Sequence, residues 1–212
     1  MKLTNKESAL KLIEPSYLAA FSSLLWIALY YLPIGGSLFR LAIPMPLALL
    51  SIRRGFKSSF EGLIIQLLLL SIIMGPLRGP LVLFPYGLLS ISLGWCWLNK
   101  KNWNFSIFIG VLIGFSGFII RVLILSLLVG DNLWTIITRA SLSLIEKFIA
   151  FVHLSYIPTI SNVYLIAFGL ILIQELFYVL TLHVIAYWVF PRLNSNLPDP
   201  PLYLKDIVEL DR

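Results

Sequence analysis

Six long apolar stretches divide the chain, separated by short segments that contain proline, glycine or charged residues. They cover residues 16–32, 37–52, 59–74, 81–98, 105–129 and 162–190. A helix needs about 20 apolar residues to cross a bilayer, and a helix satisfies its backbone hydrogen bonds within one segment. The pattern therefore predicts an all-α protein, a polytopic transmembrane helix bundle of about six spans.

Two regions depart from a plain apolar run. The second stretch is short and contains Arg40, Pro44 and Pro46, and proline breaks helical hydrogen bonding, so we expect a kink there. Residues 133–154 instead mix apolar positions at helical spacing with charged ones. Those charged residues are Arg139, Glu146 and Lys147. We interpret this region as an amphipathic helix at the outer interface, and a seventh span is the alternative.

Composition supports a lipid environment and a single domain. Hydrophobic residues make up 59% of the 212 residues and charged residues only 12%, about half of what soluble domains carry. We divide the chain into an N-terminal segment (1–15), a membrane domain (16–190) and a C-terminal tail (191–212). One cysteine excludes an internal disulfide framework, and no basic face suggests nucleic-acid binding.

The positive charges predict the orientation. Eleven of the sixteen lysines and arginines fall on one side of the six-span topology, three fall on the other, and two lie within spans. The eleven are Lys2, Lys6, Lys11, Arg53, Arg54, Lys57, Lys100, Lys101, Arg192, Lys205 and Arg212. Positive charges favour the cytoplasmic side, so both termini are predicted to be cytoplasmic, or stromal in a plastid. The predicted membrane is the bacterial inner membrane or a thylakoid or plastid membrane.

Polar residues inside the spans are the candidates for function. A charged residue there costs roughly 2.5–3.5 kcal/mol on insertion scales. Arg121 in the fifth span and Glu175 in the sixth are predicted to lie at matching depth, as a structural ion pair or a substrate-binding pair. Gln174 and Tyr178 accompany Glu175 as candidate ligand-binding residues. Gln66, in the third span, is a candidate for an interhelical hydrogen bond.

Arginines also cluster toward the predicted outer half. Arg40, Arg78 and Arg121 would suit a carboxylate or phosphate on a ligand, whereas interfacial anchoring and solvation are the simpler interpretation. On the inner side, Arg53, Arg54 and Lys57 serve as the orientation signal. They are also candidates for contact with a partner or with anionic lipid. Together with Gln174, Glu175 and Tyr178, the outer arginines form the predicted substrate-binding set.

Motifs for enzyme chemistry are missing from the sequence. There is no Walker A loop, no HExxH and no GxSxG, so we predict no catalytic residue, no metal site and no cofactor. Cys96, an arginine and a histidine could imitate an exosortase-like transpeptidase, but Cys96 belongs to the inner side and His153 to the outer. His183 shares the inner side and is either a packing residue or part of a proton relay with Glu175.

Three blocks of sequence resemble the YybS-like membrane proteins of unknown function, especially their cyanobacterial and plastid-lineage branch. They are Pro44–Gly55, Gly75–Gly79 followed by Pro85–Leu89, and Arg192–Leu193 with the prolines at 198, 200 and 201. That family is distantly similar to the substrate-binding S components of energy-coupling-factor transporters. The resemblance implies an outward-facing ligand pocket, a scaffold membrane subunit and cytoplasmic ATPases. The small residues of the first span lack the alanine-xxx-alanine spacing used for scaffold docking.

These observations predict a small-molecule-binding transporter component without its own ATPase. The alternative is a membrane scaffold or assembly factor that transports nothing. The two differ in the bundle interior: a transporter component needs a polar cavity reached by Arg121 or Glu175, and a scaffold can be solidly packed. The expected partners are the lipid bilayer, a small-molecule ligand, and the scaffold and ATPase subunits that the resemblance implies.

Overall fold

A computed structural model of the chain describes residues 5–33, 35–152, 159–202 and 204–205. Helices account for nearly all of this part, and it contains no strand. The helices are α1 (Asn5–Tyr31), α2 (Gly36–Ala42), α3 (Met45–Arg54), α4 (Phe56–Met74), α5 (Tyr86–Leu98), α6 (Trp103–Val129), α7 (Leu133–Val152) and α8 (Ile160–Val189). Short 3-10 helices cover Gly79–Leu83 and Pro191–Leu193. The all-α class is confirmed.

Four stretches of the described residues are long and apolar enough to cross a membrane. They are Phe56–Met74, Gly79–Leu98, Trp103–Val129 and Ile160–Val189, and each contains one predicted span almost in full. The remaining two predicted spans correspond to α1 and to the pair α2 and α3. A count of about six spans is therefore consistent with the observed helices.

Proline shapes the second predicted span as expected. α2 ends at Ala42 and α3 begins at Met45, so the span is two helices joined at Pro44 rather than one kinked helix. Pro46 occupies the first turn of α3, where the missing N–H costs nothing because no helical acceptor exists for it. Every residue from Pro46 to Ser51 is buried, and α3 packs against α1, α4 and α5. The short helix α3 is thus the centre of the bundle.

Two boundaries differ from the sequence prediction. Helix α1 begins at Asn5 and includes Pro15, so the described part of the predicted N-terminal segment 1–15 continues directly into the first span. The fourth predicted span begins with the 3-10 helix Gly79–Leu83, and its α-helix starts only at Tyr86. Hydropathy marks the length of chain in lipid, whereas hydrogen bonding sets where a helix starts, and the two need not coincide.

The predicted amphipathic helix is α7, which covers Leu133–Val152; residues 153–154 of the prediction lie outside the described residues. It packs against α6 and α8. Ser141 is buried on its packed side, and the ring of Trp134 lies 4.9 Å from that of Phe168 in α8. Arg139, Glu146 and Lys147 are all exposed. α7 is not among the four stretches apolar enough to span, so its position at the interface remains the prediction.

A buried polar network links α1 and α4 to the break between α2 and α3. Gln66 Nε2 donates to Ser22 Oγ at 2.8 Å, and Ser22 Oγ donates to the Ile43 carbonyl at 2.7 Å. Both side chains are fully buried. The predicted role of Gln66 as an interhelical hydrogen bonder is confirmed, and the network satisfies the carbonyl at the break between α2 and α3.

Candidate functional site

A polar cavity of about 310 Å³ lies between α2, α5 and α8. Its lining consists of Arg40, Leu41, Pro85, Tyr86, Gln174, Glu175 and Tyr178. Four of the six residues predicted to bind substrate therefore come together: Arg40, Gln174, Glu175 and Tyr178. α8 contributes three of the seven lining residues, spaced so that they face α2 and α5.

Two features hold the helices around this cavity. The Tyr178 hydroxyl donates to the Arg40 carbonyl at 2.8 Å, which ties α8 to α2. On α6, Gly114 leaves room for the Glu175 carboxyl group, because a Cβ atom at Gly114 would overlap Oε2. Gly117 lies against Pro85, and a Cβ there would be 2.8 Å from the Pro85 Cα. The two glycines allow α6 to approach both sides of the cavity closely.

Glu175 is buried, with 4% of its surface exposed, and its Oε2 atom has no hydrogen-bond partner among the described residues. The predicted ion pair with Arg121 is not formed. The ion pairs seen among the described residues join Glu14 to Arg53 and Arg54, and neither involves Glu175. A buried carboxyl group without a cation beside it is costly, so Glu175 calls for a functional explanation.

Arg121 forms no ion pair with Glu175 among the described residues and is not part of the cavity lining. Its Nη2 atom donates to the Tyr30 hydroxyl at 3.0 Å, and its guanidinium carbon lies 5.3 Å from the ring centre of Trp26 and 5.9 Å from that of Tyr86. Aromatic rings attract a cation through their quadrupole, so these contacts compensate the charge within the membrane. Residue counting placed Arg121 in the second half of α6 but could not show which way its side chain turns.

Arg78 is not part of the cavity lining. It precedes the 3-10 helix Gly79–Leu83 and is exposed, which agrees with the simpler interpretation of a solvated turn. Conversely, sequence reasoning missed Leu41, Pro85 and Tyr86 as lining residues. Tyr86 directly follows Pro85 at the start of α5, and an aromatic residue beside a break in a span is a signal that could have drawn attention to it.

His183 belongs to a different, tightly packed region. Its Nδ1 atom hydrogen-bonds to the Val179 carbonyl at 2.8 Å, and Nε2 hydrogen-bonds to Ser106 Oγ at 2.8 Å. The rings of Trp97 and Trp103 lie 5.2 and 5.3 Å from its own. Both ring nitrogens are thus occupied, which agrees with the packing interpretation rather than with a relay to Glu175. Cys96 is fully buried as well, and His153 lies outside the described residues.

The predicted partner-contact arginines form an ion cluster that we call the arginine end of the bundle. Arg53 Nη1 donates to Glu14 Oε1 at 2.9 Å and Nη2 to the Leu193 carbonyl at 2.5 Å, while Arg54 Nε donates to Glu14 Oε2 at 2.5 Å. Arg53 and Arg54 therefore join α1, α3 and the turn after α8. Lys57 is exposed, so of the three it is the one most open to a partner or lipid.

Glu14 is the electrostatic centre of this cluster. Burial alone would raise the pKa of its carboxyl group, but the hydrogen bonds and positive charges of Arg54 and Arg53 outweigh that effect. They hold the pKa of Glu14 below its ordinary value of 4.5. The carboxylate therefore stays charged, and the cluster stays intact, throughout the neutral range.

A larger groove of about 570 Å³ lies between α6, α7 and α8. It is mostly apolar, with Ile119, Val122, Leu123 and Phe168 among its lining residues. Such a surface within a bilayer suits hydrocarbon chains, whereas the smaller cavity offers charges and hydrogen-bonding groups. The smaller cavity is therefore the candidate site for a polar ligand.

The fold and this cavity define a class: polytopic helical membrane proteins with a polar, charge-bearing cavity inside the bundle. The chain belongs to the family described as predicted membrane protein (DUF2232), whose profile matches residues 19–203. The match covers all lining residues of the cavity and every helix from α2 to α8. Neither the curated proteins nor the solved structures contain a match to the chain.

Proposed function

We propose that this protein binds a small polar molecule within the bundle and acts as the ligand-binding component of a transporter that has no ATPase of its own. The observation that carries the proposal is the cavity itself. It contains a buried carboxyl group, Glu175, and a guanidinium group, Arg40, and a protein that only packs against other proteins has no need of either. The cavity therefore favours a ligand-binding protein over a solidly packed scaffold.

The resemblance to S components supplies the rest of the proposal: a scaffold membrane subunit and cytoplasmic ATPases as partners, and cytoplasmic or stromal termini. One feature limits how the scaffold would dock. Ala19, Ser22 and Ser23 of α1 are fully buried against the neighbouring helices, so this small-residue face is already occupied. Docking would have to use another surface, such as the arginine end.

The test is to purify the protein in its own lipids and to identify copurifying small molecules and subunits by mass spectrometry. The decisive variant is Leu41→Trp, because Leu41 lines the cavity and an indole ring would fill much of it. Leu38→Trp is the matched control, since Leu38 lies one turn earlier in α2 and is 71% exposed.

We expect one small molecule to copurify with the wild-type protein and with Leu38→Trp, and to be lost from Leu41→Trp while all three unfold at similar temperatures. The proposal fails if wild-type protein carries no small molecule. It also fails if Leu41→Trp retains the molecule in full. Stable copurification of several unrelated membrane proteins without any ligand would support the scaffold alternative.

A further inference from the structure

We infer that the ligand of this cavity is a small zwitterion, whose ammonium group meets Glu175 and whose carboxylate meets Arg40. The inference rests on the proposed function and adds the chemical class of the ligand. It follows from the two charged groups of the cavity, which the protein's own contacts leave without partners of opposite charge among the described residues.

The negative side of the cavity is unpartnered. Glu175 Oε2 has no donor in the described part of the chain, although the residue is 96% buried. Arg121, the cation predicted to pair with it, is engaged by Tyr30, Trp26 and Tyr86. An ammonium group on a ligand would supply the missing donor and the missing charge together.

The positive side is equally open. Arg40 is exposed at the cavity, and among the described residues no carboxylate lies within ion-pair distance of its guanidinium group. The contact of Tyr178 with Arg40 uses the backbone carbonyl and leaves the side chain unengaged. A guanidinium group binds a carboxylate through two parallel hydrogen bonds, so Arg40 is the natural anion site of the cavity.

A single ligand can satisfy both groups only if it carries both charges. The volume of about 310 Å³ is at the lower end for ligand pockets, which restricts the ligand to a small molecule. A simple amine would leave Arg40 unmatched, and a simple acid would leave Glu175 unmatched. The pair of opposite charges in one small cavity therefore selects a zwitterion over either.

The probes are ω-amino acids of increasing length: glycine, β-alanine, 4-aminobutanoate and 6-aminohexanoate. Each is compared with the amine and the carboxylic acid of the same chain length, and binding to the protein in nanodiscs is measured by calorimetry. Length matters because it sets the distance between the two charges. We expect at least one member to bind tenfold or more tightly than its matched amine and acid.

Two variants assign the groups. Glu175→Gln should remove the advantage over the acid, and Arg40→Gln the advantage over the amine. The controls are Glu61→Gln in α4 and Arg139→Gln in α7, which neutralise exposed groups away from the cavity and should bind as the wild type does. An amine or an acid that binds as tightly as its zwitterion would overturn the inference.

A further binding experiment distinguishes a wrong ligand class from a wrong proposed function. A cell extract of small molecules is offered to the wild type and to Leu41→Trp. If a component binds the wild type alone but no zwitterion binds, the ligand class is wrong and the proposed function stands. If neither the extract nor the zwitterions bind, both are wrong.

Discussion

Gly114 is the residue that most directly sets the position of Glu175, and replacing it with alanine should separate ligand binding from stability. A methyl group at Gly114 would overlap Glu175 Oε2 and lie 3.1 Å from Cδ. The carboxyl group is the far end of a flexible side chain, so it can move aside without disturbing the backbone. Binding should then weaken because the carboxyl group has left its place, although the helices still pack.

The expected magnitudes follow from two opposing effects. Alanine is better than glycine in a helix by up to about 1 kcal/mol. An extra methylene in a packed interior typically costs about 1–3 kcal/mol, and the lower end applies where a flexible group yields. Gly114→Ala should therefore change the free energy of unfolding by no more than about 2 kcal/mol, while affinity for the copurifying ligand falls tenfold or more.

Alanine substitutions at two other glycines serve as references for the effect of Gly114→Ala on stability and binding. Gly169→Ala in α8 meets nothing within 4 Å, so it should stabilise the protein by up to about 1 kcal/mol and leave binding unchanged. Gly117→Ala would place its Cβ 2.8 Å from the Pro85 Cα, and backbone yields poorly, so the protein should lose about 1–3 kcal/mol. Thermal unfolding in nanodiscs and calorimetric binding give both quantities for each variant.

A double variant tests the stated mechanism. Glu175→Asp shortens the side chain by one methylene and should make room for the alanine at Gly114. Stability should then show a coupling of about 0.5–3 kcal/mol between the two positions, because the side chains are in contact. Strictly additive effects, or a Gly114→Ala variant that binds the ligand as the wild type does, would refute the reasoning.

The remaining predictions concern three other parts of the molecule. Glu14→Gln should cost about 1 kcal/mol at pH 7. Because the pKa of Glu14 is lowered on folding, this difference is present above pH 4.5 and should disappear as the pH falls through the folded-state pKa, which pH-dependent unfolding would show. Single cysteines at Arg139 or Lys147 in a cysteine-free background should react with impermeant thiol reagents, and protection of both would favour a seventh span. Arg121→Met and Glu175→Gln should have additive effects on thermal stability, since the two side chains do not meet; a coupling above about 0.5 kcal/mol would contradict the arrangement.

Hydropathy was enough to predict most of the fold. The five predicted stretches that follow Pro33 each overlap a described helix or a pair of helices, and α7 begins at the predicted Leu133. The length of an apolar stretch and its helical periodicity are properties of the local sequence, so both can be recognised without knowing the tertiary structure. The start of α1 at Asn5 was missed because a helix can continue past the apolar run into polar residues.

The site was predicted less well than the fold, because the sequence does not give the rotation of each helix about its own axis. Residue counting gives depth along a span at 1.5 Å per residue, and it matched Arg121 with Glu175 in depth. It does not give the direction in which a side chain leaves the helix. Arg121 was therefore expected to pair with Glu175, whereas its guanidinium group lies against the rings of Trp26 and Tyr86, from distant parts of the sequence.

The distribution of packing along the bundle bears on how a ligand would reach the cavity. At the arginine end, Trp97 and Trp103 enclose His183, and the Trp103 indole donates to the Pro198 carbonyl at 2.9 Å. The chain around Pro198 is thereby held against the bundle, and the neighbouring Leu197 is buried. The cavity lies farther along α8, beside the short helix α2 and the break before α5, where regular helix packing is interrupted. Because the interrupted region is easier to open than the aromatic cluster, we expect the ligand to enter from the end opposite the arginines, which the charge pattern predicts to be the outer side.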